Sequence, residues 1–350
     1  MVLSGVGAGA LVALSAGALA DNSNVAYAWK KDAKLYYRWT EGTGVNMKAD
    51  AGMESVTQNG RVSTVTWDIK DVDAAGLATV KMTYNGFSMS VQLPRTTEPL
   101  KWDSLVPATT DASNPMAMIF GHLIGESITF KVDARGMVHS VEGMEDLAKK
   151  LRQVAVDTPG AGTFVNGIEV TFTANQMKAN LERVLSGNPE KKVAPGDSWT
   201  DEFTLPNAQL GSFNLARTHT LDSMSSEAAT ISTSVVVTLN EPKADDPKRA
   251  MFSMMSPELK KGTGTGLRTI NLTDGCPQQS TLTLLTEIAM SGGGMKLTNA
   301  STWEFKLERL TQLPPQAVIP GETPIPVPPS PPKTTPPVEG DSNLTPHPKK

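Results

Sequence analysis

A single cysteine, Cys276, stands in 350 residues, which excludes an intramolecular disulfide and a thiolate metal cage. It lies between Gly275 and Pro277 with no histidine or cationic run beside it, so it reads as a turn residue rather than a nucleophile or redox centre. A chain of this size folds without staples, and the scarcity of cysteine is compatible with an oxidising compartment. Histidine is nearly as scarce. His122, His139, His219 and His347 fall one per predicted element, and no His-Glu-x-x-His spacing occurs, which excludes the familiar zinc hydrolase pattern. His139 and His219 therefore read as surface or satisfied strand residues. A basic field is lacking too: the formal charge is −4 and Lys and Arg are scattered, so nucleic acid is not an expected partner.

Residues Met1 to Ala20 carry no charge, are rich in Ala, Gly, Leu and Val, and end in Ala18-Leu19-Ala20. Small residues at −3 and −1 after an apolar stretch are what signal peptidase accepts, which predicts a signal peptide over 1–20 cleaved between Ala20 and Asp21. The n-region has no Lys or Arg, and retention as an anchor is the competing reading. The stretch is weakly apolar and barely long enough to span, so no stable transmembrane span is expected in the mature chain. With Asp21 at the new N-terminus, lipid anchoring through a cysteine is excluded. The protein is expected to be exported, to the periplasm, cell envelope or exterior. At the other end, 13 of 25 prolines fall in the last 37 residues. This predicts an extended or disordered Pro-rich tail over 312–350, serving as a spacer or as a docking site for an envelope protein.

Between these ends the dominant signal is period-two alternation, which buries one face of a strand. Leu35, Tyr37 and Trp39 alternate with polar neighbours; so do Val65, Trp67 and Ile69, then Ala78, Val80, Met82 and Tyr84. Asn59-Gly60 is the strongest local hairpin signal, and predicts a turn between strands 46–58 and 61–70. A hairpin over Ser127 to Glu142 turns at Asp133-Ala134-Arg135-Gly136, with Met137, His139 and Val141 in its return strand. A fainter copy runs from Gly266 through Asp274-Gly275 to Gln279 and beyond. Further strands are expected near 199–205, 211–222, 228–240 and 301–310. Helical spacing predicts a short helix over 115–124 entered at Asn114-Pro115, amphipathic helices over 142–157 and 174–185, and a Met-rich helix between 248 and 259.

The fold class that follows is mostly β (α+β): a long-stranded antiparallel meander, curved like a half-barrel, with a few short packed helices. One β-rich domain over 21–311 is expected, with pseudo-repeated halves near 31–143 and 193–311 joined by a helical connection over 144–192.

Four stretches invite a chemical reading. Asp71-Val72-Asp73-Ala74-Ala75-Gly76 starts like a calcium loop but places Ala75 and Met82 where oxygen ligands belong, so it reads as a solvated turn. Ser198 in Gly196-Asp197-Ser198-Trp199-Thr200 lacks the second glycine and parallel-sheet setting of a nucleophile elbow. Gly262-Thr263-Gly264-Thr265-Gly266 carries no phosphate-loop lysine and reads as a flexible strand entry. Asp201-Glu202, Asp245-Asp246 and Glu145-Asp146 are adjacent pairs, which a strand would point to opposite faces, so no acid faces a base. No catalytic, metal-binding or cofactor-binding residue is assigned, and no cofactor is expected.

The Gly121-x-x-x-Gly125 helix end, the Asp133-x-x-Gly136 hairpin and the Pro195-Gly196-Asp197-Ser198-Trp199 turn resemble those of a family of exported bacterial proteins of unknown function. More distantly, long strands with few helices look like the lipoprotein-carrier half-barrels, a similarity of shape that implies no binding residue here. The expected function is a non-enzymatic exported binder of a lipid, another apolar ligand or an envelope component. A structural or protein-interaction module using the Pro-rich tail is the alternative, and a hydrolase the least favoured reading.

Overall fold

A computed structural model of the chain describes residues 25–314 apart from 51, 93–97, 107–113, 208–209, 247 and 293. The expected signal peptide, its Ala20–Asp21 junction and the Pro-rich tail beyond Pro314 lie outside the described residues. The strands are β1 (Lys34–Ala49), β2 (Glu54–Val72), β3 (Ala78–Val91), β4 (Leu100–Asp103), β5 (Ser127–Val132), β6 (Val138–Glu142), β7 (Ser198–Asn207), β8 (Gly211–Met224), β9 (Ala228–Asn240), β10 (Glu258–Asn271), β11 (Cys276–Gly292) and β12 (Met295–Leu310). The helices are α1 (Pro115–Phe120), α2 (Met144–Asp157), α3 (Gly162–Thr171), α4 (Ala174–Leu185) and α5 (Lys248–Met255).

All twelve strands join one antiparallel sheet, open and curved rather than closed into a barrel. Its order is β6-β5-β3-β2-β1-β12-β11-β10-β9-β8-β7, with β4 also pairing β3. The chain thus starts at the centre and meanders to one edge. It then crosses through α2, α3 and α4, and meanders back from the other edge until β12 pairs β1 over fourteen registered positions from Tyr36↔Leu310 to Ala49↔Leu297. The concave face is the apolar face read from the alternation: Leu35, Tyr37, Trp39, Val65, Trp67, Ile69, Phe305 and Leu307 are all buried. Tyr37 packs on Trp67 at 4.4 Å between ring centroids, and Trp67 on Phe130 at 5.3 Å. That end of the interior is filled by side chains.

The first turn differs from the sequence expectation. Asn59-Gly60 lies inside β2, opposite Thr43 and Gly42, because β1 and β2 pair without interruption from Lys34↔Asp68 to Lys48↔Glu54. The chain reverses around residues 50–53, where Gly52 takes φ +75°. Long-range pairing of two strands of 16 and 19 residues outweighs a local preference that is small per residue. A bulge after Lys131 likewise shifts the phase of the 127–142 hairpin, so that Val138 is buried while Met137 and His139 face outward. Gly262, Gly264 and Gly266 are not a flexible entry: they sit within β10, all three paired with β11 and the last two with β9 as well, and a Cβ at Gly264 would come within 2.6 Å of the Leu284 side chain. Glycine at alternate positions of one strand lets neighbouring side chains close over it, as expected where a sheet coils sharply.

The two Asp-Gly turns have a shared role. Tyr27 N–H donates to Ala134 O (2.8 Å) in the first turn, and Ala28 N–H donates to Gly275 O (2.9 Å) in the second. The segment Val25–Trp29 therefore ties together two hairpins that are about 140 residues apart in sequence. Tyr27 Oη also donates to Leu185 O at the end of α4 (3.0 Å).

Candidate functional site

Helix α4 begins as its sequence dictates, with the Thr173 hydroxyl accepting from Gln176 N–H (3.1 Å). Its apolar residues Met177, Leu181, Val184 and Leu185 are buried. So are Asn180, Glu182 and Arg183, because α4 runs inside the curve of the sheet and touches β6, β7, β11 and β12 as well as α2 and α3. Buried polar side chains on an enclosed helix need partners, and the residues of α4 find them to very different degrees.

Two polar clusters result. The first caps the C-terminal end of α4. Arg268 Nη1 donates to Leu185 O (2.9 Å) and Ser186 O (2.5 Å), placing a cation where the helix dipole is negative. Arg217 binds Asp201 through Nε and Nη2 (2.8 and 2.6 Å) and also donates to Ser186 Oγ (2.9 Å). His219 lies between Asp201 Oδ1 (3.1 Å) and Thr233 Oγ1 (2.8 Å), with Trp199 stacked on its ring. Burial opposes ionisation of Asp201, yet the hydrogen bonds from His219 and Arg217 win and hold it well below the usual carboxylate range. Burial pushes the His219 pKa down, against the pull of Asp201. A Thr-His-Asp line is thus present, built by the β7–β8 register that sets Asp201 opposite Arg217 and by the β8–β9 register that sets His219 opposite Thr233. The expectation that no acid faces a base is corrected on this point: pairing across strands, not adjacency along one, brings Asp201 to His219. The space beside these residues is only about 20 Å³, enough for roughly one water molecule.

The second cluster lines a cleft of about 460 Å³ between the sheet and α4. The concave face that carries Trp39, Ser63 and Leu307 continues two residues further along each strand as Glu41, Arg61 and Phe305, and then as Thr43, Asn59 and Trp303. Strand phase is kept while the chemistry changes from apolar to mixed. Glu41 and Arg61 are register partners and form an ion pair at 2.7 Å, which raises the Arg61 pKa although burial works against it. Facing them, Gln176, Asn180 and Arg183 are spaced i, i+4 and i+7 and so form one stripe of α4. Gln176 Nε2 donates to Asn180 Oδ1 (2.9 Å). Met89, Val170 and Leu205 supply apolar wall.

Arg183 is 5% exposed, with its guanidinium 3.8 Å from the centre of the Phe305 ring. Among the described residues it makes no hydrogen bond, its Nε is buried without a partner, and no carboxylate lies within 4.0 Å of it. Burial pushes its pKa down to about 10, with Glu41 pulling up and Arg61 down, so it is a cation at neutral pH. Trp303 Nε1 and Glu41 Oε1 are likewise buried without partners.

Apart from Asp201 and His219, the candidate residues of the sequence lie away from both clusters. Cys276 is buried at the β10–β11 turn, its thiol pushed up to about 12 by burial and by Asp274. Asp73 Oδ1 accepts from the N–H groups of Ala75 and Leu77 (2.9 Å each), and Asp71 pairs with Lys31 at 3.1 Å. Ser198 Oγ meets Thr220 Oγ1 at 2.8 Å on the surface. His139 pairs with Asp133 at 3.0 Å. Among the described residues no helix is long and apolar enough to cross a membrane.

Compared with known proteins, residues 75–277 match a family described as a family of unknown function, DUF6263. No curated protein matches the chain. Among solved structures, lipovitellin is similar at 8% identity with a TM-score of 0.43, over 84% of this chain and 26% of that one. DynF from Micromonospora chersina, at 7% identity and a TM-score of 0.17, is matched over 82% of this chain and 86% of that one. A LolA superfamily protein from Nitrosomonas europaea, at 9% and 0.12, is matched over 79% and 87%. The chain spans about a quarter of lipovitellin, and these likenesses bring no ligand to this chain.

Proposed function

The chain belongs to DUF6263, a family of unknown function, and from its own geometry we propose that it is an exported, non-enzymatic binder of a small ligand with an apolar tail. The observation that carries this reading is the cleft. It measures about 460 Å³, within the range of ligand sites, and joins an apolar wall of Met89, Val170, Leu205, Trp303 and Phe305 to a polar floor. Export is supported by the uncharged Ala- and Leu-rich stretch ending at Ala20, and a non-enzymatic role by the lack of substrate room beside the His219–Asp201 pair. The Pro-rich segment 312–350 supports a second use, as a reach or docking segment for an envelope protein; its deletion tests that part alone.

The test is a titration of the mature chain with octanol, decanol and dodecanol, read by tryptophan fluorescence, since Trp303 lines the cleft. Saturable binding is expected, each added methylene strengthening it by up to about 0.8 kcal/mol, roughly fourfold. Val170→Trp, at a half-exposed cleft position, is expected to weaken dodecanol at least tenfold without unfolding the chain. No saturable binding at any chain length overturns the reading.

A further inference from the structure

We infer that the ligand is a long-chain carboxylate whose head group is held by Arg183 and the indole N–H of Trp303. This rests on the cleft being the binding site and says what chemistry it selects. Charge comes first. Among the described residues the ionisable side chains lining the cleft are Arg61, Arg183 and Glu41, two cations against one carboxylate, a net charge of +1. Arg61 already spends its charge on Glu41. The surplus cation is Arg183, 95% buried and without an ion-pair partner among the described residues. A buried charge without a counterion is unfavourable unless something supplies one.

Hydrogen-bonding capacity points the same way. At the cleft Arg183 Nε and Trp303 Nε1 are donors without acceptors, against one unpartnered acceptor oxygen, Glu41 Oε1, whose carboxylate is held by Arg61; a carboxylate ligand has two acceptor oxygens and no proton to place. The Phe305 ring lies 3.8 Å from the guanidinium carbon and occupies that side of it. One negative charge neutralises the cleft, whereas a phosphate monoester near −2 would reverse its sign. The apolar wall of Met89, Val170 and Leu205 takes the tail.

The experiment compares dodecanoate, dodecanol, dodecyl phosphate and dodecyltrimethylammonium, each below its micelle concentration, on the mature wild-type chain and on Arg183→Met and Trp303→Phe. Dodecanoate is expected to bind about ten- to a hundredfold tighter than dodecanol, the span of a charge-assisted hydrogen bond. Arg183→Met should bring that ratio close to one, and without ligand it should melt no lower than wild type. Trp303→Phe should lower the ratio several-fold. Equal binding of dodecanoate and dodecanol by wild type overturns the carboxylate assignment and leaves the cleft reading standing. Tighter binding of dodecyl phosphate, or an unchanged ratio in both variants, also overturns it. Binding of none of the four overturns both.

Discussion

Substituting Gly136 by alanine should cost far more than turn geometry alone demands, and a second glycine in the same fold supplies the control. Gly136 has φ +82° and Gly76 has φ +83°, so both hold the left-handed conformation that costs a residue with a Cβ about 1–2 kcal/mol. Their surroundings differ. A Cβ at Gly76 meets nothing within 4 Å, whereas at Gly136 it falls 2.1 Å from Leu185 O and 2.5 Å from Leu185 C. Those are backbone atoms at the end of α4, so relief requires moving the helix end, which also accepts hydrogen bonds from Tyr27 and Arg268. Forced displacement in a packed region adds about 1–3 kcal/mol. The expectation is a loss of about 1–2 kcal/mol for Gly76→Ala and about 2–5 kcal/mol for Gly136→Ala, measured as urea midpoints at constant slope. Equal losses would refute the claim that the 133–136 turn is seated against α4.

Stability should fall as the pH drops from 7.5 to 5.5: burial lowers the folded His219 pKa below its unfolded value, so the unfolded chain takes up a proton that the native chain refuses. Stability from His219 is present above the ordinary histidine pKa and lost as pH falls through it; that from Asp201, also depressed, is lost only in the acid range below about pH 4, so His219→Asn should flatten the upper limb of a urea-midpoint series and spare the lower. Tyr27→Phe should cost only about 0.5–1.5 kcal/mol by calorimetry, because Leu185 O keeps its bond from Arg268. Cys276 should resist an aromatic disulfide reagent at pH 8 until the chain is unfolded, since its thiol is buried and pushed up to about 12; rapid native labelling would show that the β10–β11 turn opens.

Much of the fold was legible because long strands with one buried face announce themselves. Val65, Trp67 and Ile69, and Ala78 through Tyr84, fall on the face the alternation assigned, and α4 runs over the residues its spacing and Thr173 cap predicted. What failed was local. Asn59-Gly60 has the residues of a turn but is held in β2 by partners on both sides, and α3 went unread because a Gly-rich, weakly amphipathic stretch carries little helical signal. The cleft was not legible at all. Polar residues at the spacing of Gln176, Asn180 and Arg183 ordinarily mark the solvent face of an amphipathic helix, so nothing in the sequence singles them out. Only the topology, which carries the chain from one sheet edge to the other through the concave side, turns that face inward. Asp201 and His219 were hidden for a related reason: strand register joins them, and register is not written in either residue.

The two polar clusters along α4 also separate a structural use of buried charge from a functional one. At the C-terminal end, Arg217 and Arg268 are cations as buried as Arg183, yet Arg217 is clamped on Asp201 and Arg268 on two carbonyls of the helix end. Their geometry explains why they are charged: each holds one piece of chain against another, and the space left is too small for anything larger than water. Arg183, in the last turn of α4 itself, fastens nothing among the described residues. Its guanidinium rests on a ring at the edge of an open cleft, where methionine would fill the same volume without the desolvation penalty. Folding accounts for the charge of the first two and not for that of the third, and the counterion that Arg183 lacks among the described residues is what a ligand entering the cleft would bring.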